Sequence, residues 1–520
     1  MEYIYMSNSY NRNENENLES NLNRSTEKGN SLDANAFLID GLEVFCDQEG
    51  VPYVRSKDQN TAHPIKSEAA STLIRKALFE KTNQVPSGKA VGETIDRLEG
   101  FALLSADKRD LPIRTVVRDK EDGSSVVEID TGRREAVVVS AGGYGSQITN
   151  TIFRRPGTAA ELPEPAKSGS LDLLWQVLPV KDPDQQKLIV AFIVVSSIAN
   201  CPAFPLLSME GPAGSAKTSA MEIIAGLIDP SPGLARALPR SERDLAVSAH
   251  NRWCVTFDNL DHIKGNMSDA LCRLTTGGSF AARALYTDAD ERLLTFRRPV
   301  IATGIGDYIR RSDLMTRSMV ITLPPLSEAG GVRPKQQVFA EYERLKPQIL
   351  AGLYNGISSV LRNLESTKEN FDHRAADFLR YATAAEEGLG WAPGSFEKVF
   401  MRHQDRQQST LALSDVVVRE VCTVIAGEDG DVIEHTASDL YQAVTSGFLG
   451  SRPAAWPKDP AGLSKCLTQR YEQLKSLGLI LERGRTGKSR SLVFKKLPGF
   501  NAAEHLPQDS NTQYDDDELV

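Results

Sequence analysis

The spacing of apolar positions changes several times along the chain, and each change marks an element. Residues 1–35 hold nine Asn and few apolar side chains, so they bury too little surface to order themselves and read as a disordered arm. From 36 to 155 the spacing is helical at 67–82 and 87–98, then alternates as in strands at 113–118, 126–130 and 136–140, with Glu121-Asp122-Gly123 as a turn. This predicts a small N-terminal α/β domain. Pro156, Pro163 and Pro165 mark a linker over 156–170.

Beyond the linker, short apolar runs at 204–209, 253–257, 300–303 and 319–323 alternate with helical patterns, as parallel βαβ units do. They define a core over 171–325. The run 188–199, 12 residues between Lys187 and Asn200, is too short for the roughly 20 that cross a bilayer and predicts a buried helix. Residues 338–402 are almost continuously helical, and the apolar stripe over 345–364 suits a packed lid. The segment 411–497 ends as helix, helix and two strands. An acidic disordered tail is expected over 504–520.

Composition adds limits to this pattern. With 40% apolar and 25% charged residues, 520 residues exceed one core and suit about three domains. The net charge of −9 resides in the ends: six acids against three bases in 1–35, and six acids with no base in 504–520. The remainder is neutral, which excludes a globally basic nucleic-acid coat but allows a local basic face. Cys46, Cys201, Cys254, Cys272, Cys422 and Cys466 form no CxxC pair and no zinc-ligand spacing, so they read as reduced thiols of a cytoplasmic protein. The polar start lacks the plan of a signal peptide, and no membrane partner is expected.

Candidate chemistry begins at Gly211, Pro212, Ala213, Gly214, Ser215, Ala216, Lys217, Thr218 and Ser219, between an apolar strand and a helix. Glycines let backbone N–H groups turn onto phosphates, the helix N-terminus adds its dipole, Lys217 reaches the β/γ oxygens, and Thr218 offers a hydroxyl to Mg²⁺. The expected cofactors are therefore ATP and Mg²⁺. Ala216 stands where a second glycine is usual and narrows the turn. A second strand ends in Asp258, which would hold the metal together with Thr218. Asn259 follows, where many such ATPases carry an acid; an amide orients water but takes no proton, so hydrolysis is slow or borrows Asp261.

Thr303, at the end of the 300–303 strand, is placed as a polar sensor of the γ-phosphate. Arg317 is placed to reach a neighbouring subunit's phosphate as an arginine finger, with Arg310 and Arg311 as rivals and a surface ion pair as the competing use. The segments 280–286 and 292–296 read as a hairpin around 287–290.

Lys217, Asp258, the Gly277-Gly278 to Tyr286 segment, Thr303 and Arg317 follow one another within 100 residues, and this order resembles the compact AAA+ module of superfamily 3 helicases, especially the poxvirus-type primase-helicase group of mobile elements. The resemblance covers roughly 170–325. It implies a P-loop AAA+ core with a helical lid, ring oligomers that are usually hexamers, ATP hydrolysis at subunit interfaces, and single-stranded DNA drawn through a pore. It also implies that Lys217 and Thr218 hold nucleotide and magnesium, that Asp258 holds magnesium, that Thr303 is the sensor and that Arg317 is the trans-acting finger. One departure bears on DNA: the hairpin tip is Asp288, Asp290 and Glu291, and acids repel phosphate, which leaves Arg283, Arg292, Arg297 and Arg298 for such contacts. Residues 36–155 hold no paired Asp and His of a primase, and priming is not expected.

In 411–497, helices expected over 438–448 and 459–477 precede strands at 479–481 and 491–494, the plan of a winged helix. Arg483, Arg485, Lys488 and Arg490 would lie along a phosphate backbone, and Lys465, Gln469 and Arg470 on the second helix would face a groove. The leading expectation is an ATP-driven DNA helicase or replication initiator of a phage, plasmid or integrated element, acting as a ring on single-stranded or origin DNA. Alternatives are a nucleotide-switched winged-helix regulator without unwinding, and a defence or remodelling P-loop ATPase.

Overall fold

A computed structural model describes residues 40–105, 107–283, 291–306, 308–328, 331–446, 456–486, 489–498 and 500. The expected arm and acidic tail, Asp288, Asp290 and Lys488 lie outside the described residues, as do the side chains of Arg283, Glu291, Arg292 and Arg490. The described residues form two compact units, one of those up to Arg114 with Ile148–Gly157, the other of Thr115–Gln147 with those from Thr158 onward. The span 36–155, expected as one domain, is thus divided between them.

In the first unit, strands Lys108–Arg109, Leu42–Asp47, Pro52–Ser56, Thr61–Pro64 and Phe153–Arg154 lie side by side in that order. Helices Glu68–Thr82 and Gly88–Leu104 open on Ser67 and Ser87, whose hydroxyls accept from Ala70 and Ala90 N–H groups. Their apolar stripes, Ala70, Ile74, Val91 and Leu98 among them, pack on Leu42, Val44 and Val54.

The core of the second unit is a parallel sheet ordered Val255–Leu260, Val300–Gly304, Leu206–Glu210, Ser318–Thr322. All four strands fall where continuous apolar runs predict them, because a parallel sheet is covered on both faces. Helix Pro183–Ser196 is capped by Asp182, and its whole length from Leu188 to Ser196 is buried. Among the described residues no helix is long and apolar enough to cross a membrane.

Residues 115–147 form a four-stranded antiparallel meander, and the Ser358 hydroxyl of helix Lys335–Asn363 donates to Ala141 O at 3.2 Å. Helices Ala376–Ala384 and Ser395–Ser414 complete the helical region that follows the sheet. Helices Ser395–Ser414 and Pro183–Ser196 close the edge of the parallel sheet at strand Ser318–Thr322. His403 Nε2 accepts the Val320 N–H at 3.1 Å, Gln404 donates to Ser318 O at 3.0 Å, and Gln185 accepts the Thr322 N–H at 3.1 Å.

The last module has helices Val416–Ala426, Ala437–Ser446, Pro460–Gln469 and Tyr471–Ser476, and an antiparallel sheet ordered Val432–Thr436, Ser489–Lys496, Leu479–Thr486. The helix expected over 459–477 is broken at Arg470. The first strand of the sheet is not evident in the sequence pattern, since Glu434 and His435 interrupt it.

Candidate functional site

Strand Leu206–Glu210 leaves the sheet at Gly211 and re-enters regular structure at helix Lys217–Ile228. Gly211 has φ 152°, and a Cβ there would lie 2.3 Å from Leu323 O, so only glycine fits. Ala216 takes φ 61° and ψ 25°, the left-handed conformation that a second glycine would accept without strain. The helix has no side-chain N-cap, so no side chain at Ala216 takes up its first N–H groups.

Lys217 is buried and its ammonium donates to Gly211 O at 2.6 Å and Pro212 O at 2.8 Å, curling the loop around itself. Burial holds this ammonium below the ordinary lysine value, and the charge of Asp258 opposes that shift. Pro212, Ala213 and Gly214 are exposed, whereas Ser215 is buried; Ser219 lies two residues into the helix.

The acid strand carries a bulge. Phe257 pairs with Ala302 and Leu260 with Gly304, so Asp258 and Asn259 together stand opposite Thr303. This extra residue turns the Asp258 carboxylate toward the loop helix, where Thr218 Oγ1 donates to it at 2.9 and 3.1 Å. Thr303 Oγ1 donates to the same carboxylate at 2.5 Å and accepts the Asn259 N–H at 3.1 Å. Asn259 itself has φ 58°, which its short amide side chain tolerates.

Lys217, Thr218, Asp258, Asn259 and Thr303 are thereby brought together. Asp261 is exposed, accepts the His262 N–H at 2.7 Å, and lines a cleft of about 540 Å³ with Ile305, Ile309, Arg310 and Leu411. Arg311 is bound to Gly265 O and Asp269. Arg317 lies at the opposite edge of the sheet: its carbonyl accepts the N–H of Leu206, the first residue of the strand that ends before Gly211. Five residues of parallel strand put roughly 16 Å between Arg317 and the loop, so it does not reach the loop of its own chain.

Arg297 and Arg298 are drawn inward. Arg297 donates to Ala199 O, and Arg298 donates to Ala249 O while lying 5.1 Å over the Trp253 ring. In the last module Lys465, Gln469, Arg483 and Arg485 are exposed, and Arg483 also donates to Thr468 Oγ1 at 2.9 Å. Arg470 is half-buried, bonded to Asp415 at 2.5 Å and to Cys466 Sγ at 2.7 Å, so it braces the module and does not face outward. Asp415 was not singled out from the sequence; its signal was its place as N-cap of Val416–Ala426.

The residues present suit a nucleotide triphosphate and a hard divalent cation. An uncapped helix N-terminus, an ammonium seated inside the loop, and a hydroxyl beside a carboxylate are the donor set such a group uses.

The fold and site define a mixed α/β protein whose parallel sheet presents a loop, a carboxylate and a hydroxyl at one edge. Residues 171–391 match the family model of the actinomycete integrative conjugative element replication protein. No curated protein matches the chain. Among solved structures, two apo forms of the NrS-1 C-terminal region align over 89% of this chain, with 9% identity, TM-score 0.41 and 98% of that chain for one, and 10%, 0.40 and 99% for the other. JCV helicase aligns at 16% identity and TM-score 0.26 over 44% of this chain and 64% of its own.

Proposed function

We propose that the chain is an ATPase that drives DNA replication of an integrating mobile element, acting on DNA as a ring of copies. The observation that carries this reading is the convergence of the Thr218 and Thr303 hydroxyls on the Asp258 carboxylate beside the uncapped helix. The match over 171–391 supports the replicative role.

In this reading residues 211–219 bind the triphosphate through backbone N–H groups and Lys217, and Thr218 with Asp258 holds Mg²⁺. Bound Mg²⁺-ATP supplies a phosphoryl group and a charge that neutralises its oxygens. Thr303 keeps Asp258 aimed at the loop and is itself the polar group at the γ-phosphate end. Asn259 orients water without taking its proton, which makes intrinsic turnover slow. Arg317, remote from its own loop, serves the loop of the next copy. The module 411–497 is a winged helix whose Lys465, Gln469, Arg483 and Arg485 contact DNA, joined by Lys488 and Arg490.

Measuring ATP turnover and forked-duplex unwinding for the wild type and Lys217→Ala tests this. Loss of both in the variant is expected; a wild type that neither binds nor hydrolyses ATP overturns it. Asn259 favours one second reading, a DNA-binding regulator switched by ATP, which would show ATP-dependent assembly and gel shifts with no unwinding.

A further inference from the structure

One carboxylate at the far edge of the sheet gathers two arginines from different parts of the fold. Asp313 lies in the short helix Ser312–Met315, and its Oδ1 accepts from Arg317 Nε at 3.3 Å and from Arg374 Nη1 at 3.1 Å. Arg374 belongs to the connection leading into helix Ala376–Ala384, and its Nη1 also donates to Thr316 Oγ1 at 2.8 Å. Cys272 is buried on the neighbouring helix Gly265–Thr276. The arrangement is fixed from below. Arg317 N–H donates to Leu314 O at 3.0 Å, its carbonyl accepts from Leu206, and the following residue, Ser318, is held by Gln404 of helix Ser395–Ser414.

Both guanidiniums remain partly open to solvent, with 31% and 47% of their side-chain surface exposed. A guanidinium carries five N–H donors, so the shared carboxylate occupies few of them, and two positive charges against one leave a net positive site. Nothing in its own loop is near enough to use it.

We infer that Asp313 is a positioning residue: its carboxylate sets Arg374 beside Arg317, so that both guanidiniums meet one anion, the triphosphate held by a second copy of the chain. This rests on the proposed reading of a shared ATP site. Arg374 makes the helical region part of that contact. A shift of the connection before Ala376 then moves the partner's phosphate ligand, because the two arginines share an anchor.

The test is ATPase kinetics on Asp313→Asn, Asp313→Glu and Arg374→Ala full-length chains, with melting curves alongside. Asp313→Asn should lower kcat about 10- to 100-fold, the effect of a small misplacement, and leave KM for ATP within about twofold. Asp313→Glu should restore most of the rate. Mixing Asp313→Asn chains with Lys217→Ala chains should recover turnover, because intact loops then face intact arginines. An unchanged kcat, a change confined to KM, or no recovery on mixing overturns the inference. A wild type without ATPase activity instead overturns the function on which it rests, and an Asp313→Asn chain that fails to fold leaves the Glu variant and Arg374→Ala to decide by the same mixing assay.

Discussion

Thr218 and Asp258, 40 residues apart in the chain, are joined by a hydrogen bond of 2.9 Å from the hydroxyl to the carboxylate. The bulge opposite Thr303 makes the bond possible by turning one side chain out of the strand's alternation. The same carboxylate also receives Thr303, so the strand between the loop and the acid takes part in the site.

Asp258→Asn should fold normally, since the amide oxygen still accepts from Thr218 and Thr303. Its Mg²⁺-dependent ATP turnover should fall by about 10²- to 10³-fold. Steady-state hydrolysis across a Mg²⁺ titration checks this; wild-type turnover would remove Asp258 from the site. Lys217→Ala should abolish nucleotide binding as well, measured by calorimetry.

Ala216 is held at φ 61°, where a side chain is strained. Replacing it with glycine removes a Cβ clash with its own backbone and should stabilise the protein by about 1 kcal/mol. Thermal melting should shift upward by roughly 2–4 °C for a domain of this size. A lower melting temperature contradicts the strain.

His403 accepts the Val320 N–H through Nε2, which requires the neutral ring. Burial, aided by Arg406 and opposed by Asp182, lowers its pKa to about 4. The unfolded ring protonates near 6.5, so the stability this bond contributes is full above pH 6.5 and is lost as pH falls toward 4, by at most about 3 kcal/mol. His403→Gln, which retains an acceptor, should flatten that part of the urea-denaturation profile. An unchanged slope between pH 6.5 and 4 would contradict the assignment.

Arg483 and Arg485 are exposed on the strand Leu479–Thr486, whereas Lys495 is paired with Glu482 at 2.7 Å. Alanine at either arginine should weaken DNA binding across sequences and reduce the slope of log K against log salt by about 1. Lys495→Ala should change it less. Fluorescence anisotropy at several salt concentrations measures all three.

The local code of this chain was legible where an element depends on its own residues. Ser67, Ser87 and Asp459 stand at the starts expected for their helices and cap them, and the four parallel strands follow from apolar runs that need cover on both faces. The loop at 211–218 was legible because its spacing is a backbone requirement, visible in Gly211 and in the strand and helix that flank it. Strands 42–47 and 52–56 escaped because each is short and carries a charge, Glu43 and Arg55, that is paired only across the sheet.

What the sequence by itself determined was the four parallel strands, most of the helices, the loop between strand and helix at 211–218, and which side chains carry suitable chemistry. Only the tertiary structure decided their company. The meander of 115–147 lies against helix Lys335–Asn363, about 200 residues further along the chain; Arg470 braces Asp415; Arg374 shares Asp313 with Arg317. Apolar faces and charges are satisfied by whatever the fold brings near, and chain separation carries no record of that distance.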